Sequence, residues 1–165
     1  GRVVPPDAVI AVDVGNNAYS FGRYFECADQ RVLMSGYLGS IGFGLPAAMG
    51  AWAAAPDRPI VAVVGDGGLG QYLAEITTLV KYGIPIRVVV LNNAELGKIS
   101  KEQRAVEMDV WQTSLVNPSF AAYAELCGAL GVRVERAADL DDSLATVFAH
   151  PGPALCEVVT DVDLV

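Results

Sequence analysis

The sequence predicts a doubly wound α/β domain, a parallel β-sheet with helices on both faces. Two observations carry this. Short apolar runs of strand length alternate with stretches of helical periodicity. The run IRVVVLNN at residues 86–93 is nearly continuous in β-branched residues, the pattern of a strand covered on both sides. At 165 residues, 53% hydrophobic and 18% charged, the chain is long and apolar enough for one buried core. Residues 1–165 are therefore read as a single domain. The Pro-rich GRVVPPD of residues 1–7 is read as the tail of a linker from something upstream.

The elements follow in order. AVIAVDVG, residues 8–15, is a strand stopped by Gly and Asn. VLM at 32–34 is a short second run that enters the glycine-rich SGYLGSIGFGLP. AAMGAWAAA, 47–55, is a small-residue helix closed by Pro56. A strand at 60–64 leads into GDGG. Leu69, Leu73, Ile76 and Val80 fall at helical spacing, which predicts one helix over 69–82 with Gly83 as its stop. After the strand of 86–93, residues 94–117 begin helical around LGKISKEQRAVE and turn irregular near Trp111. Phe120, Tyr123, Ala124 and Cys127 mark a helix ended by Gly128 or Gly131. VRVER, 132–136, is a strand. Asp139 is the expected N-cap of a helix carrying Leu140, Leu144, Val147 and Phe148, and ALCEVVT, 154–160, is the last strand.

Composition excludes several function classes. The net charge of −8 argues against nucleic acid and anionic membrane surfaces, which require clustered Lys and Arg. Cys27, Cys127 and Cys156 are far apart, and His150 is the only histidine, so a zinc site is not expected and the cysteines read as free thiols. No stretch reads as a signal peptide or a membrane span, and a cytoplasmic location is the expectation.

The stretch VVGDGGLG, residues 63–70, matches the dinucleotide fingerprint G-x-G-x-x-G through Gly65, Gly67 and Gly70, yet Asp66 stands inside it. That fingerprint also requires an acid at the end of the next strand, where this chain has Leu91, Asn92 and Asn93. Parallel sheets bind ligands outside the carboxyl ends of their strands. Three polar clusters fall at that edge: residues 13–17, Asp66, and Asn92 with Asn93. A carboxylate facing an amide carbonyl is a hard-oxygen pair suited to Mg²⁺ or Ca²⁺. A divalent cation there would lie between Asp66 and a diphosphate, with Gly67 and Gly68 offering N–H groups to the phosphates.

These residues resemble a known pattern. GDGG at 65–68, followed 27 positions after Asp66 by Asn93 of an Asn pair, is similar to the G-D-G…N-N motif of thiamin-diphosphate enzymes. Glu75-Ile76, the Tyr-Gly-Ile-Pro of 82–85, DVGNN at 13–17 and SGYLGSIGFGLPAAMGA at 35–51 extend the resemblance over essentially the whole chain. It points to the C-terminal, diphosphate-binding domain of the pyruvate oxidase and acetolactate synthase group, and hence to the thiamin-diphosphate-binding fold.

The resemblance implies roles at matching positions. The side chains of Asp66 and Asn93 and the backbone carbonyl of Glu95 would hold Mg²⁺. Gly65, Gly67 and Gly68 would approach the diphosphate of thiamin diphosphate, with Asn16 and Asn17 on a second phosphate-contacting loop. Ile41 would prop the cofactor into its V shape, and the Gly39 carbonyl would meet the aminopyrimidine amine. No catalytic residue is assigned to this chain. In the family, the glutamate that activates the aminopyrimidine comes from an N-terminal catalytic domain, usually of a partner subunit in a homodimer or tetramer. The resemblance therefore implies a fragment of a longer enzyme acting on a 2-keto acid, one that binds cofactor but does not turn over alone. FAD, if the whole enzyme uses it, would not bind this domain. The segment AELGKISKEQ looks closer to pyruvate oxidases, which sets the leading expectation. SGYLGSIGFGLPAAMGA resembles acetolactate synthases equally well, and this is the alternative. A non-catalytic binding module retaining the fold is the alternative outside enzymes. Asn92 reads as a turn residue, His150 as a loop residue, and Trp111 as packing or a partner-domain contact.

Overall fold

The computed structural model describes residues 1–163, so residues 164 and 165 of the expected domain lie outside the described residues. The elements are β1 (Val9–Val12), α1 (Asn16–Tyr24), β2 (Arg31–Met34), α2 (Gly44–Ala54), β3 (Ile60–Gly65), α3 (Asp66–Gln71), α4 (Glu75–Tyr82), β4 (Arg87–Asn92), α5 (Gly97–Ala105), α6 (Phe120–Leu126), β5 (Leu130–Val134), α7 (Leu140–Ala149) and β6 (Ala154–Val159). Six strands form one sheet in the order β2-β1-β3-β4-β6-β5, and every pairing is parallel. The chain runs outward from β1 to β2 and returns to β3 on the other side of β1. The β1/β3 boundary is thus the topological switch point, where open parallel sheets leave a crevice.

Alternate residues of the strands feed two layers. Val9, Ala11, Ile60, Ala62, Val64, Val88, Val90 and Leu155 pack with residues of α2, α4 and α6. Ile10, Val12 and Val61 pack with α1 residues Ala18 and Phe21, and Cys156 and Ala154 pack with Val147 and Leu144 of α7. Helices therefore cover both faces, as the apolar strand runs require, because a strand buried on both sides has no polar face to give to water. The 1–7 segment lies against this body: Val4 joins the second cluster and Arg58 Nε donates to the Asp7 carbonyl at 2.7 Å.

Several local expectations change. The helix read over 69–82 is two helices, α3 and α4, and α3 starts three residues earlier at Asp66. Tight turn bonds break it: Tyr72 N donates to Leu69 O and Glu75 N to Tyr72 O, both at 2.9 Å. Three glycines in α3 weaken its propagation, so hydrophobic spacing alone overstated its continuity. Helix α2 begins at Gly44 rather than Ala47, with Pro46 in its first turn, where a missing N–H costs little. Residues 16–24, unassigned from sequence, form α1. Strand β5 occupies 130–134 instead of 132–136. Asp139 does not cap α7 with its side chain; its carboxylate instead receives Arg136 at 2.8 and 2.9 Å. Gly83 does end α4 in the left-handed region at φ 62°, and Ser119 caps α6 by accepting from Ala122 N.

All three cysteines are free. Burial pushes the Cys156 thiol up to about 11, which keeps it protonated and unreactive at neutral pH. Among the described residues no helix is long and apolar enough to cross a membrane.

Candidate functional site

Four strand ends converge on one cavity of about 320 Å³. Val14–Asn17 follow β1, Gly65–Gly68 end β3, the turn after β4 supplies Asn93 and Glu95, and Thr160 and Asp161 follow β6. Gly39 and Ile41 close it from the glycine-rich loop before α2. All ten residues singled out from sequence (Asn16, Asn17, Gly39, Ile41, Gly65, Asp66, Gly67, Gly68, Asn93 and Glu95) line this one space.

Asp66 is 4% exposed and sits in the first turn of α3. Its Oδ1 accepts from Gly67 N at 3.0 Å. Its Oδ2 accepts from Ala94 N at 2.8 Å and from Asn117 Nδ2 at 2.7 Å. Burial pushes this carboxyl above its ordinary range, and the bonds from Asn117, Gly67 and Ala94 oppose that rise. The ionised form of Asp66 is therefore less well compensated here than at an exposed aspartate.

Strands β3 and β4 are neighbours, with Gly65 paired to Leu91, so Asp66 and Asn93 follow adjacent strand ends. The turn between Asn93 and Glu95 is held in an unusual shape. Ala94 has φ 57°, a left-handed conformation that costs a non-glycine residue about 1 kcal/mol. Three bonds impose it: Ala94 N to Asp66 Oδ2, Ala94 N to Asn92 Oδ1 at 3.2 Å, and Leu115 N to the Ala94 carbonyl at 2.7 Å. Glu95 bridges Ser114 in an antiparallel pair. The irregular 106–119 stretch is thereby sewn to the turn.

Two of the side chains that line the cavity have an unpaired polar atom. Asn16 Nδ2 and Glu95 Oε1 are buried with no hydrogen-bond partner. Arg104 stands 4.0 Å from Glu95 Oε1, too far to bond it. A Cβ placed on Gly97 would lie 2.7 Å from Asn16 Nδ2 and 3.4 Å from Asn93 Nδ2, so the two amides converge over this glycine. Unpaired buried polar atoms are rare, and two at one cavity fit a site that a ligand completes. Among the described residues no three His, Cys, Asp or Glu side chains cluster as metal ligands. The donor set that fits here is of another kind: one carboxylate, one amide and one backbone carbonyl, all hard oxygens.

The glycines of the GDGG loop are also needed inside the protein. A Cβ on Gly67 would meet Leu96 Cδ2 at 2.6 Å, and one on Gly68 would meet Asp13 Oδ2 at 2.5 Å. Asn17 lies in the first turn of α1, and its Nδ2 donates to the Asp13 carbonyl at 2.8 Å. Asn16 and Asn17 thus belong to a helix start rather than a free loop.

Sequence reasoning missed Asn117 and Glu157. Asn117 stands before Pro118, a turn signal, at the end of the segment read only as irregular. Glu157 was visible as a lone charge in the otherwise apolar run ALCEVV, and it is fully buried. Asn92 is also more than a turn residue, since it bonds Ala94 N, Asn117 and Glu157 together.

Comparison with known proteins gives a consistent answer. The family profile described as "Thiamine pyrophosphate enzyme, C-terminal TPP binding domain" matches residues 13–158. YdaP of Bacillus subtilis (strain 168), whose name assigns it thiamine pyrophosphate only provisionally, is 38% identical over 154 residues, covering 93% of this chain and 27% of the relative. The acetolactate synthase large subunit of Lactococcus lactis subsp. lactis (strain IL1403) is 35% identical over 162 residues, 96% of this chain and 28% of the relative. That of Parasynechococcus marenigrum (strain WH8102) is 33% identical over 160 residues, 95% and 26%. The chain spans about a quarter of the length of these relatives.

Proposed function

Because the chain belongs to the C-terminal TPP-binding domains of thiamine pyrophosphate enzymes, we propose that it binds thiamine pyrophosphate through Mg²⁺ as part of an acetolactate synthase-like enzyme acting on 2-keto acids. The observation that carries the reading is the gathering of Asp66, Asn93, Glu95 and both glycine-rich loops around one cavity. The names of two of the three relatives support the carboligase over the oxidase. The pyruvate oxidase leaning drawn from AELGKISKEQ therefore gives way to its alternative.

In this reading the Asp66 and Asn93 side chains and the Glu95 carbonyl hold Mg²⁺, whose charge also relieves the buried Asp66 carboxylate. Gly65, Gly67 and Gly68 let the diphosphate approach the backbone, and Asn16, with its unpaired Nδ2, and Asn17 face it from the α1 side. Ile41 and Gly39 meet the ring end. The cofactor, once bound, supplies the carbon nucleophile and the electron sink for decarboxylating a 2-keto acid. The activating glutamate comes from an N-terminal catalytic domain of the same or a partner subunit, so residues 1–165 alone bind without turnover.

Calorimetry and melting with thiamine pyrophosphate, with Mg²⁺ or with a chelator, test the binding claim. A ligand at a hundred times its Kd stabilises by about 2.7 kcal/mol. A rise in melting temperature that requires Mg²⁺ is expected; none at millimolar cofactor overturns the reading. For the reaction, the full-length protein given pyruvate is expected to form acetolactate without consuming oxygen.

A further inference from the structure

The groups behind Asp66 form a continuous chain of hydrogen bonds that crosses the sheet. Glu157, on β6, is 0% exposed. Its Oε1 accepts from Asn92 Nδ2 at 2.8 Å and from Arg133 of β5, and its Oε2 accepts from Ala121 N at 3.0 Å and Ser119 Oγ at 3.3 Å. Asn92 Oδ1 accepts from Asn117 Nδ2 at 3.0 Å, and that same Nδ2 donates to Asp66 Oδ2 at 2.7 Å.

The chemistry of the two ends orients everything between them. A carboxylate only accepts, so Glu157 compels Asn92 to present its NH₂ to it and its carbonyl toward Asn117. Asn92's carbonyl likewise compels Asn117 to present its NH₂, which then points at Asp66. Neither amide can turn over without setting donor against donor or oxygen against oxygen. At Asp66, Oδ2 carries two hydrogen bonds, from Ala94 N and Asn117, and is filled. Oδ1 carries one, from Gly67 N, and keeps a free lone pair.

We infer that Asn117 is a positioning residue that, oriented through Asn92 by the buried Glu157, holds Asp66 Oδ2 and leaves Oδ1 as the single oxygen offered to a divalent cation. The inference rests on the Mg²⁺ reading proposed above, but it assigns a function to residues that lie outside that ligand set. It also explains why a charged residue occupies the middle of an apolar strand. Glu157 sits at the junction of β4, β5, β6 and the start of α6, so the orientation of the amides is built into the sheet rather than into a loop. Outer hydrogen-bond partners of metal ligands typically change metal affinity by roughly ten- to hundred-fold when removed.

The test measures the Mg²⁺ concentration for half-maximal binding of thiamine pyrophosphate, alongside the cofactor-free melting temperature, in the protein that carries this domain. Asp66→Ala serves as the reference and should abolish the Mg²⁺ dependence. Asn117→Ala should raise the half-saturating Mg²⁺ about ten-fold, and the spectrum of bound Mn²⁺ should broaden as the carboxylate loses its fixed orientation. Glu157→Gln should raise it severalfold, because its amide can no longer impose one orientation on Asn92; this variant also serves if Asn117→Ala fails to fold. A merely structural role would lower the melting temperature of these variants and leave half-saturation within two-fold of the parent. That outcome overturns the inference while the Asp66 reading stands. If Asp66→Ala keeps its Mg²⁺ dependence, both fall.

Discussion

Two aspartates stand at the tips of adjacent strands, Asp13 after β1 and Asp66 after β3, and both are buried, at 1% and 4% exposure. Each is followed closely by glycine, in DVG and GDG. Their employment differs. Asp13 spends both oxygens on backbone: Val14 N donates to Oδ1 at 2.7 Å, Gly42 N to Oδ1 at 2.9 Å and Oδ2 at 3.2 Å, and Gly44 N to Oδ2 at 3.2 Å. It thereby ties down the loop that carries Gly39 and Ile41 and satisfies the start of α2. It does not line the main cavity, and Asp66 does. Residue type, burial and strand-end position are therefore shared by a structural acid and a candidate ligand acid. What separates them is the free lone pair and the neighbouring Asn93.

Asp13→Ala should break this comparison open most violently. It leaves the Gly42 and Gly44 N–H groups buried without partners, and roughly 3 kcal/mol or more of stability should be lost whether or not Mg²⁺ is present. Urea unfolding with and without metal checks it; disappearance of the Mg²⁺-dependent stabilisation itself would make Asp13 a ligand acid too. Gly68→Ala comes next, because its Cβ would stand 2.5 Å from Asp13 Oδ2 and 3.2 Å from Gly42 N, forcing the two loops apart. About 1–3 kcal/mol of overpacking is expected, with weaker cofactor binding by calorimetry. Asp66→Ala should cost less, about 1–2 kcal/mol in the metal-free protein, since lost hydrogen bonds are partly offset by removal of a carboxylate that burial disfavours. Its signature is elsewhere, in the loss of the Mg²⁺-dependent rise in melting temperature.

Acidity sharpens the contrast further. Burial raises the Asp66 pKa, so the carboxylate is less favoured in the folded domain than in the unfolded chain, and this contribution to stability is lost as pH rises through the raised pKa. Protons therefore compete with Mg²⁺ at higher pH than at an ordinary aspartate. Mg²⁺ titrations at falling pH should show half-saturation climbing early, and an onset at the ordinary value would refute the burial argument. The smallest effect is expected at Ala94→Gly. Relief of the left-handed strain at φ 57° should raise the unfolding free energy by up to about 1 kcal/mol, and a loss instead would mean the turn depends on the Ala94 methyl group.

The alternation of apolar strands with helical stretches determined the doubly wound sheet, because a strand buried on both faces must be apolar throughout and a covering helix must be striped. Local chemistry also determined the Gly83 stop and placed Asp66 and Asn93 at strand ends, where a parallel sheet opens its crevice. Asn16, Asn17, Asp66, Gly67, Gly68 and Asn93 were legible for that reason, because the carboxyl edge gathers whatever ends the strands; Gly39, Ile41 and Glu95 were legible only through the resemblance to thiamin-diphosphate enzymes. The break between α3 and α4 was not legible, since the stripe Leu69, Leu73, Ile76, Val80 continues across it and only the turn bonds around Tyr72 reveal it. Nor was the difference between Asp13 and Asp66, which depends on Gly42 and Gly44 in one case and Ala94 and Asn117 in the other. Asn117 reaches Asp66 because residues 113–115 pair with the turn after β4, and Glu157 reaches Asn92 because β6 is inserted between β4 and β5. Hydrogen bonds between residues 25 to 65 positions apart depend on which strands become neighbours and in what register, and no local pattern encodes that. The sequence by itself determined which groups could do the chemistry; the tertiary structure decided which oxygen of which aspartate was left free to do it.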